Sequence, residues 1–255
     1  MNIRNAIIAS IGWVLAALTF NAGVYHFQGQ QKALEFLTGY LIEIALSVDN
    51  IFVFLLIFKY FKSQPKEQAK ILTWGVWGAQ FMRAILIIIG IKFIMMFSWL
   101  LYVLGMFLVI MGLKMFIEKE KDVHMQENKI LKFCKKYFPF LKEWVVILII
   151  VEATDLLFAL DSIPAIFAIT KDPFIVWTSN IFAIIGLRAM YFALAAVMPM
   201  FTYLHYALGI ILVFVGATML LEHVIVINVV MKLLFILLTL IGAVALSLKK
   251  NRFFR

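Results

Sequence analysis

Two segments decide how the chain reads: Glu43-Ile-Ala-Leu-Ser-Val-Asp49-Asn50 and Asp155-Leu-Leu-Phe-Ala-Leu-Asp161-Ser162. Each sets two carboxylates six residues apart in an apolar run and follows them with a small polar residue. One ionisable group inside a membrane span costs about 2.5–3.5 kcal/mol on insertion scales, so four uncompensated acids would cost about 10–14 kcal/mol. Something must offset that cost, and function is the natural reason for keeping the acids.

The surroundings of the two segments fix the class. The chain has 255 residues, 65% of them hydrophobic and 15% charged, and its mean hydropathy is +1.02. Soluble domains carry about 45–50% apolar and about 25% charged residues, so this composition predicts an all-α polytopic membrane protein. Apolar runs of about 20 residues suit helices crossing a hydrocarbon core of roughly 30 Å. The strict alternation of a transmembrane β-barrel is absent. The net charge of +9 does not point to nucleic acid, because the cations gather in loops, where they set orientation. The single cysteine, Cys134, allows no intrachain disulfide and no cysteine metal cluster.

Eight spans follow from the hydropathy: 6–25, 36–58, 74–94, 99–116, 144–170, 174–197, 203–221 and 227–248. Arg4 ahead of the first run also fits a signal peptide, but the run is long for one and no small-x-small cleavage site follows it. With the N-terminus in the cytoplasm, seventeen basic residues fall on the inner side and four on the outer side. That asymmetry predicts a cytoplasmic membrane location with both termini inside. Between spans four and five, Ile130, Leu131, Phe133, Cys134, Tyr137 and Phe138 recur at helical spacing among lysines. The pattern suits either a basic amphipathic helix on anionic lipid or a solvated linker.

The landmarks occur twice. Glu43 aligns with Asp155, Asp49 with Asp161, Asn50 with Ser162 and Arg83 with Arg188, while Gly105 and Gly112 align with Gly209 and Gly216. Spans two to four thus repeat as spans five to seven. Three spans is an odd number, so the second unit is predicted to lie upside down relative to the first, with a site at the midplane between them. The chain divides accordingly. Residues 1–34 hold the first span and outer loop, 35–117 the first repeat, 118–143 the basic cytoplasmic linker, 144–222 the second repeat, and 223–255 the last span and basic tail.

Residues six apart on a helix lie about 9 Å apart along the axis and roughly 120° apart around it. Either the helix breaks or each acid meets a different neighbour. Pro164 offers a break, since it leaves the carbonyl of Leu160 without its donor; span two has no matching proline. Glu43, Asp49, Glu152, Asp155 and Asp161 outnumber Arg83 and Arg188 by three charges. The arginines either pair with acids as structural glue, or balance part of the charge while protons or a divalent cation take the rest. Glu152 has no acidic counterpart in the first repeat and reads as a proton carrier or a rim acid. Carboxylates with Asn50, Ser162, Thr154, Asn180 and backbone carbonyls are hard donors suited to Mg, Ca or Mn. The histidines sit at span ends or in loops.

The two signature segments, with Glu152-Ala-Thr-Asp155 before the second, Ile163-Pro164 after it, and Thr178-Ser-Asn180 through Gly186-Leu-Arg188, closely resemble those of the TerC/Alx family of integral membrane proteins. The resemblance covers about residues 36–221. It implies association with tellurite resistance, manganese efflux across the cytoplasmic membrane, kinship with LysE-type exporters, and ligands at Glu43, Asp49, Asp155 and Asp161. The expected function is therefore an exporter of a divalent cation, Mn²⁺ first, working by alternating access, with no cofactor and no enzymatic step. The expected metal set is Glu43, Asp49, Asn50, Asp155, Asp161 and Ser162, with Arg83, Glu152 and Arg188 balancing or coupling charge. The alternative is a membrane scaffold for tellurite stress that recruits partners through 118–143. An intramembrane aspartyl protease is disfavoured because neither acid pair follows a glycine.

Overall fold

Gly29 folds the first helix back on itself. Its backbone (φ 87, ψ 174) lies in a region open essentially to glycine alone. Phe20 and Phe36, on either side of it, bring their rings to 5.3 Å. In a straight helix they would lie about 24 Å apart along the axis. The computed structural model describes residues 3–117, 131, 140–197 and 203–253. The side chains of residues 3, 4, 49, 188, 196, 197 and 251–253 lie outside that description.

Among the described residues the regular structure is entirely helical, in seven elements: α1 Ile3–Tyr60, α2 Pro65–Met96, α3 Leu100–Ile117, α4 Glu143–Phe167, α5 Pro173–Val197, α6 Leu204–Leu220 and α7 Val229–Phe253. With α1 folded at Gly29, these make eight helical segments at the places of the eight expected spans. By length and composition α1, α2, α3 and α7 can each cross a membrane, and α5 makes a fifth if its two parts, 173–187 and 189–195, bent by 53°, count as one span. At 58 residues α1 is far longer than the ~20 that one crossing needs.

Two boundaries differ from expectation for local reasons. The outer loop expected after the first span is helical on both sides of Gly29, because its residues favour helix and a single glycine suffices to turn the chain. Helix α2 begins nine residues before the apolar run. Pro65 starts it and Glu67 lies in its first turn, two features that favour a helix N-terminus. Lys66, Glu67 and Lys70, between the expected spans 36–58 and 74–94, thus belong to α2, and Lys70 Nζ sits 3.6 Å from the ring centroid of Trp144. Asp172 caps α5, accepting from Phe174 N at 3.0 Å ahead of Pro173, and Asn228 caps α7, accepting from Val230 N at 3.1 Å. The expected amphipathic segment lies outside the described residues except for Leu131 and 140–143. Leu131 is buried with Ile57, Ile71 and Ile147.

Packing brings the acid-bearing helices together. Helix α1 lies along α5 and also touches α4, α2 packs on α4, and α3 packs on α6. In α2 the buried stripe is Gly75, Ala79, Arg83, Ile87 and Ile91, one residue in four. Trp77, Phe81, Ile85 and Ile88 face outward. Arg83 therefore sits in the middle of an apolar inward face.

Helices α3 and α6 meet through their glycines. A Cβ on Gly105 would lie 3.1 Å from the Gly216 carbonyl oxygen, and one on Gly216 would lie 2.6 Å from that of Gly105. Gly112 and Gly209 make the same exchange.

Candidate functional site

The site is assembled from α1, α2 and α4 around Arg83, whose side chain is 2% exposed. Its Nε donates to Asp155 Oδ2 and its Nη2 to Asp155 Oδ1, both at 3.2 Å, a two-pronged pairing. Its Nη1 donates to Glu43 Oε1 and, at 3.3 Å, to Ser162 Oγ. Glu43 is as fully buried as Arg83, and Asp155 nearly so. A guanidinium in the low-dielectric interior must be paired, and these two acids offset its desolvation. With all three groups ionised, the cluster keeps one negative charge in excess.

Several polar atoms around the cluster have no protein partner among the described residues. They include Glu43 Oε2 and, one turn further on α1, Ser47 Oγ; elsewhere in the interior Tyr40 Oη and both amide atoms of Asn180 are also without one. Buried polar groups are nearly always satisfied, so such orphans mark places for water or a ligand. Thr154 is not among them, because its hydroxyl donates to Ile150 O at 2.7 Å.

Not every expected residue joins the cluster. Glu43, Asp155, Ser162 and Arg83 meet. Asn50 is buried on the Glu43 face of α1, about two turns further on. Asp161 lies round α4 from Asp155, only half-buried, and the cation that acts on it is Lys114 of α3. Both acid-bearing helices run unbroken: α1 continues through Asp49-Asn50, and α4 continues through Pro164 to Phe167. On α4 the six-residue spacing is thus met by two different neighbours and not by a break. The side chains of Asp49 and Arg188 lie outside the described residues.

Glu152 is placed by α2. Its carboxylate rests against Gly78, where an added methyl would overlap it, and 3.7 Å from where a Cβ on Gly75 would stand. Its Oε2 is buried and has no partner among the described residues. Glu152 and Asp155 line one small cavity of ≈ 30 Å³, with Gly75 and Ala79 of α2 and Leu187 and Tyr191 of α5. Among the described residues no three acids or imidazoles converge closely enough to hold a metal by themselves.

Sequence reasoning missed a second polar group at the Gly29 end. Lys32 Nζ donates to Glu35 Oε2 at 2.9 Å and lies 3.1 Å from Asp172 Oδ2. Glu35 also accepts from Thr170 Oγ1 at 2.6 Å and from Gln31 Nε2 at 3.1 Å. The local signal was Lys32-x-x-Glu35, an i,i+3 pair of opposite charge. Its partners across the fold had no signal.

The sequence pattern of the integral membrane protein TerC family matches residues 28–253. The chain belongs to this family. The match takes in every helix described here except the first part of α1. Among relatives of this TerC protein, an uncharacterized membrane protein of Myxococcus xanthus is 44% identical over 225 residues, covering 81% of this chain and 70% of that one. A protein of Escherichia coli (strain K12), named as a candidate membrane-bound redox modulator, Alx, is 41% identical over 246 residues, covering 86% and 77%. An uncharacterized membrane protein of Rickettsia bellii is 37% identical over 270 residues, covering 98% and 89%. No solved structure matches the chain.

Proposed function

We propose that this TerC-family protein exports a divalent cation, Mn²⁺ before others, by alternating access around Glu43 and Asp155. The observation that carries the reading is the Glu43–Arg83–Asp155 cluster, fully buried, net negative and bordered by oxygens without partners. With both acids ionised the cluster carries one more negative than positive charge, which a bound cation or a proton balances. The donors are all oxygens, and carboxylate, hydroxyl and amide oxygens suit Mn, Mg and Ca over Zn or Cu. Asp49, Asn50 and Asp161 complete the proposed ligand set when the two halves rearrange. Arg188 is the proposed counterpart of Arg83.

The inverted repeat belongs to this reading. Gly105 pairs with Gly216 and Gly112 with Gly209, as a two-fold axis between α3 and α6 would require. The packing of α1 on α5 has its counterpart in α2 on α4. Arg83 joins Glu43 to Asp155, the two residues that the repeat makes equivalent. In this reading the protein sits in the cytoplasmic membrane with both termini inside.

Uptake of Mn²⁺, Ca²⁺, Mg²⁺ and Zn²⁺ into liposomes holding the purified protein, at several pH values, tests the proposal. Flux is expected with Mn²⁺, and its loss is expected in Asp49→Asn and Asp161→Asn proteins that still insert. No flux of any of the four ions would favour a scaffold. A redox role of the kind in the E. coli relative's name has no dithiol to work with inside one chain, which has a single cysteine.

A further inference from the structure

Arg83 occupies the place that a carried cation needs. It takes both oxygens of Asp155 and one of Glu43. Its positive charge on those oxygens opposes a second cation there, so Arg83 and the ion compete for Glu43 and Asp155. The cavity beside Asp155 is a place for it to go.

The cavity beside Asp155 lies along Arg83's own face of α2. Ala79 and Gly75, which line it, stand four and eight residues before Arg83. A helical side chain leans toward its helix N-terminus, here toward Ala79. Neither residue carries more than a methyl group, while Leu72 and Val76 of α2 also line the cavity. Glu152 lines it as well, one turn before Asp155 on α4. Its carboxylate fits into the space left by Gly78, and its Oε2 is buried without a partner among the described residues. Glu152 precedes Asp155 by three residues, about 4.5 Å along the axis of α4.

We propose that Arg83 is a tethered cation that competes with the carried ion, and that it yields by swinging through this cavity from Glu43 and Asp155 to Glu152. The inference rests on the exporter reading above. With Arg83 paired to Glu152, Glu43 and Asp155 lose their only described cation, and a divalent ion bound there neutralises both once they are ionised. Release is the reverse: Arg83 returns to Asp155 and displaces the ion.

Equilibrium binding of Mn²⁺ to the purified full-length protein tests this through a double-mutant cycle. Glu152→Gln is expected to weaken Mn²⁺ binding at least tenfold, because Arg83 loses its charged second seat. Arg83→Gln is expected to bind Mn²⁺ more tightly than wild type. Adding Glu152→Gln to Arg83→Gln is expected to change binding less than threefold. An equal effect of Glu152→Gln in both backgrounds would overturn the proposal, since Glu152 would then act on the ion directly. If Arg83→Gln does not fold, Ala79→Leu replaces it. Filling the cavity is expected to weaken binding as Glu152→Gln does, and the two changes together are expected to do no more than either alone. Additive losses would overturn the proposal by this route. Wild-type protein that binds and carries Mn²⁺ without this coupling would sink the swing alone. Wild-type protein that binds no divalent ion would sink the exporter reading with it.

Discussion

Gly112 and Gly209 close on each other's backbone. A Cβ on Gly112 would come within 2.7 Å of the Gly209 carbonyl oxygen, and one on Gly209 within 2.9 Å of the Gly112 carbonyl oxygen. Backbone cannot swing aside as a side chain can. Gly112→Ala is therefore expected to push α3 from α6 and cost about 1–3 kcal/mol, the usual range for overpacking. Gly23, with nothing within 4 Å of its missing Cβ, is the control. Gly23→Ala is expected to gain about 0.5–1 kcal/mol from helix propensity alone. Thermal unfolding in detergent measures both, and two shifts of the same sign would show that the contact does not govern.

Arg83 is the only cation touching Glu43 and Asp155 among the described residues. Arg83→Ala leaves two buried carboxylates without it and is expected to cost about 3–5 kcal/mol. Arg83→Lys keeps the charge but loses the two-pronged grip on Asp155, so its cost is expected to be smaller. Denaturation of detergent-solubilised variants ranks them. Equal stability of the alanine variant and wild type would show that water, not Arg83, solvates the acids.

Gly29 turns α1 through a backbone conformation that other residues enter only under strain. Space is no obstacle, because nothing lies within 4 Å of its missing Cβ. Gly29→Ala is expected to cost about 1–3 kcal/mol for conformation alone. A D-alanine placed there by semisynthesis is expected to cost less than the L form. Unfolding midpoints that do not distinguish the two would refute the argument.

Lys62 ends α1 at φ 50, where glycine is the usual residue. Ser63 N donates to Phe58 O at 3.0 Å and Lys62 N to Lys59 O at 3.2 Å, the pattern of a left-handed helix cap. Lys62→Gly is expected to stabilise the protein by about 0.5–1 kcal/mol. An unfolding midpoint that falls would mean that the lysine side chain makes up for its strain.

What could be read from residues alone follows a physical divide. Spans were legible because burial in lipid needs long apolar runs, and Gly105-x6-Gly112 advertised α3 because close helix contact needs small residues at helical spacing. Glu43, Asp155, Ser162 and Arg83 were named in advance, since charge in an apolar run is conspicuous. Their partnership was not, because Arg83 lies forty residues from Glu43 and seventy-two from Asp155. The separate placing of Asp161 beside Lys114 was foreseen only as one of two options that the helix period allows. The Glu35–Thr170 bond joins residues 135 apart and had no local trace. The helical start of α2 was hidden by lysines that look like loop but serve as well on a helix surface.

The two ends of the bundle are joined by different forces. At the Gly29 end, Lys32, Glu35, Thr170 and Asp172 are joined by charge and hydrogen bonds. At the Tyr60 end, Ile57, Phe58, Ile71, Ile147 and Tyr191 are joined by apolar contact. Added salt weakens the first junction and leaves the second. Cooling weakens the second, because hydrophobic association fades at low temperature. A protein that opens alternately at these ends would therefore have its resting population pulled in opposite directions by ionic strength and by cold.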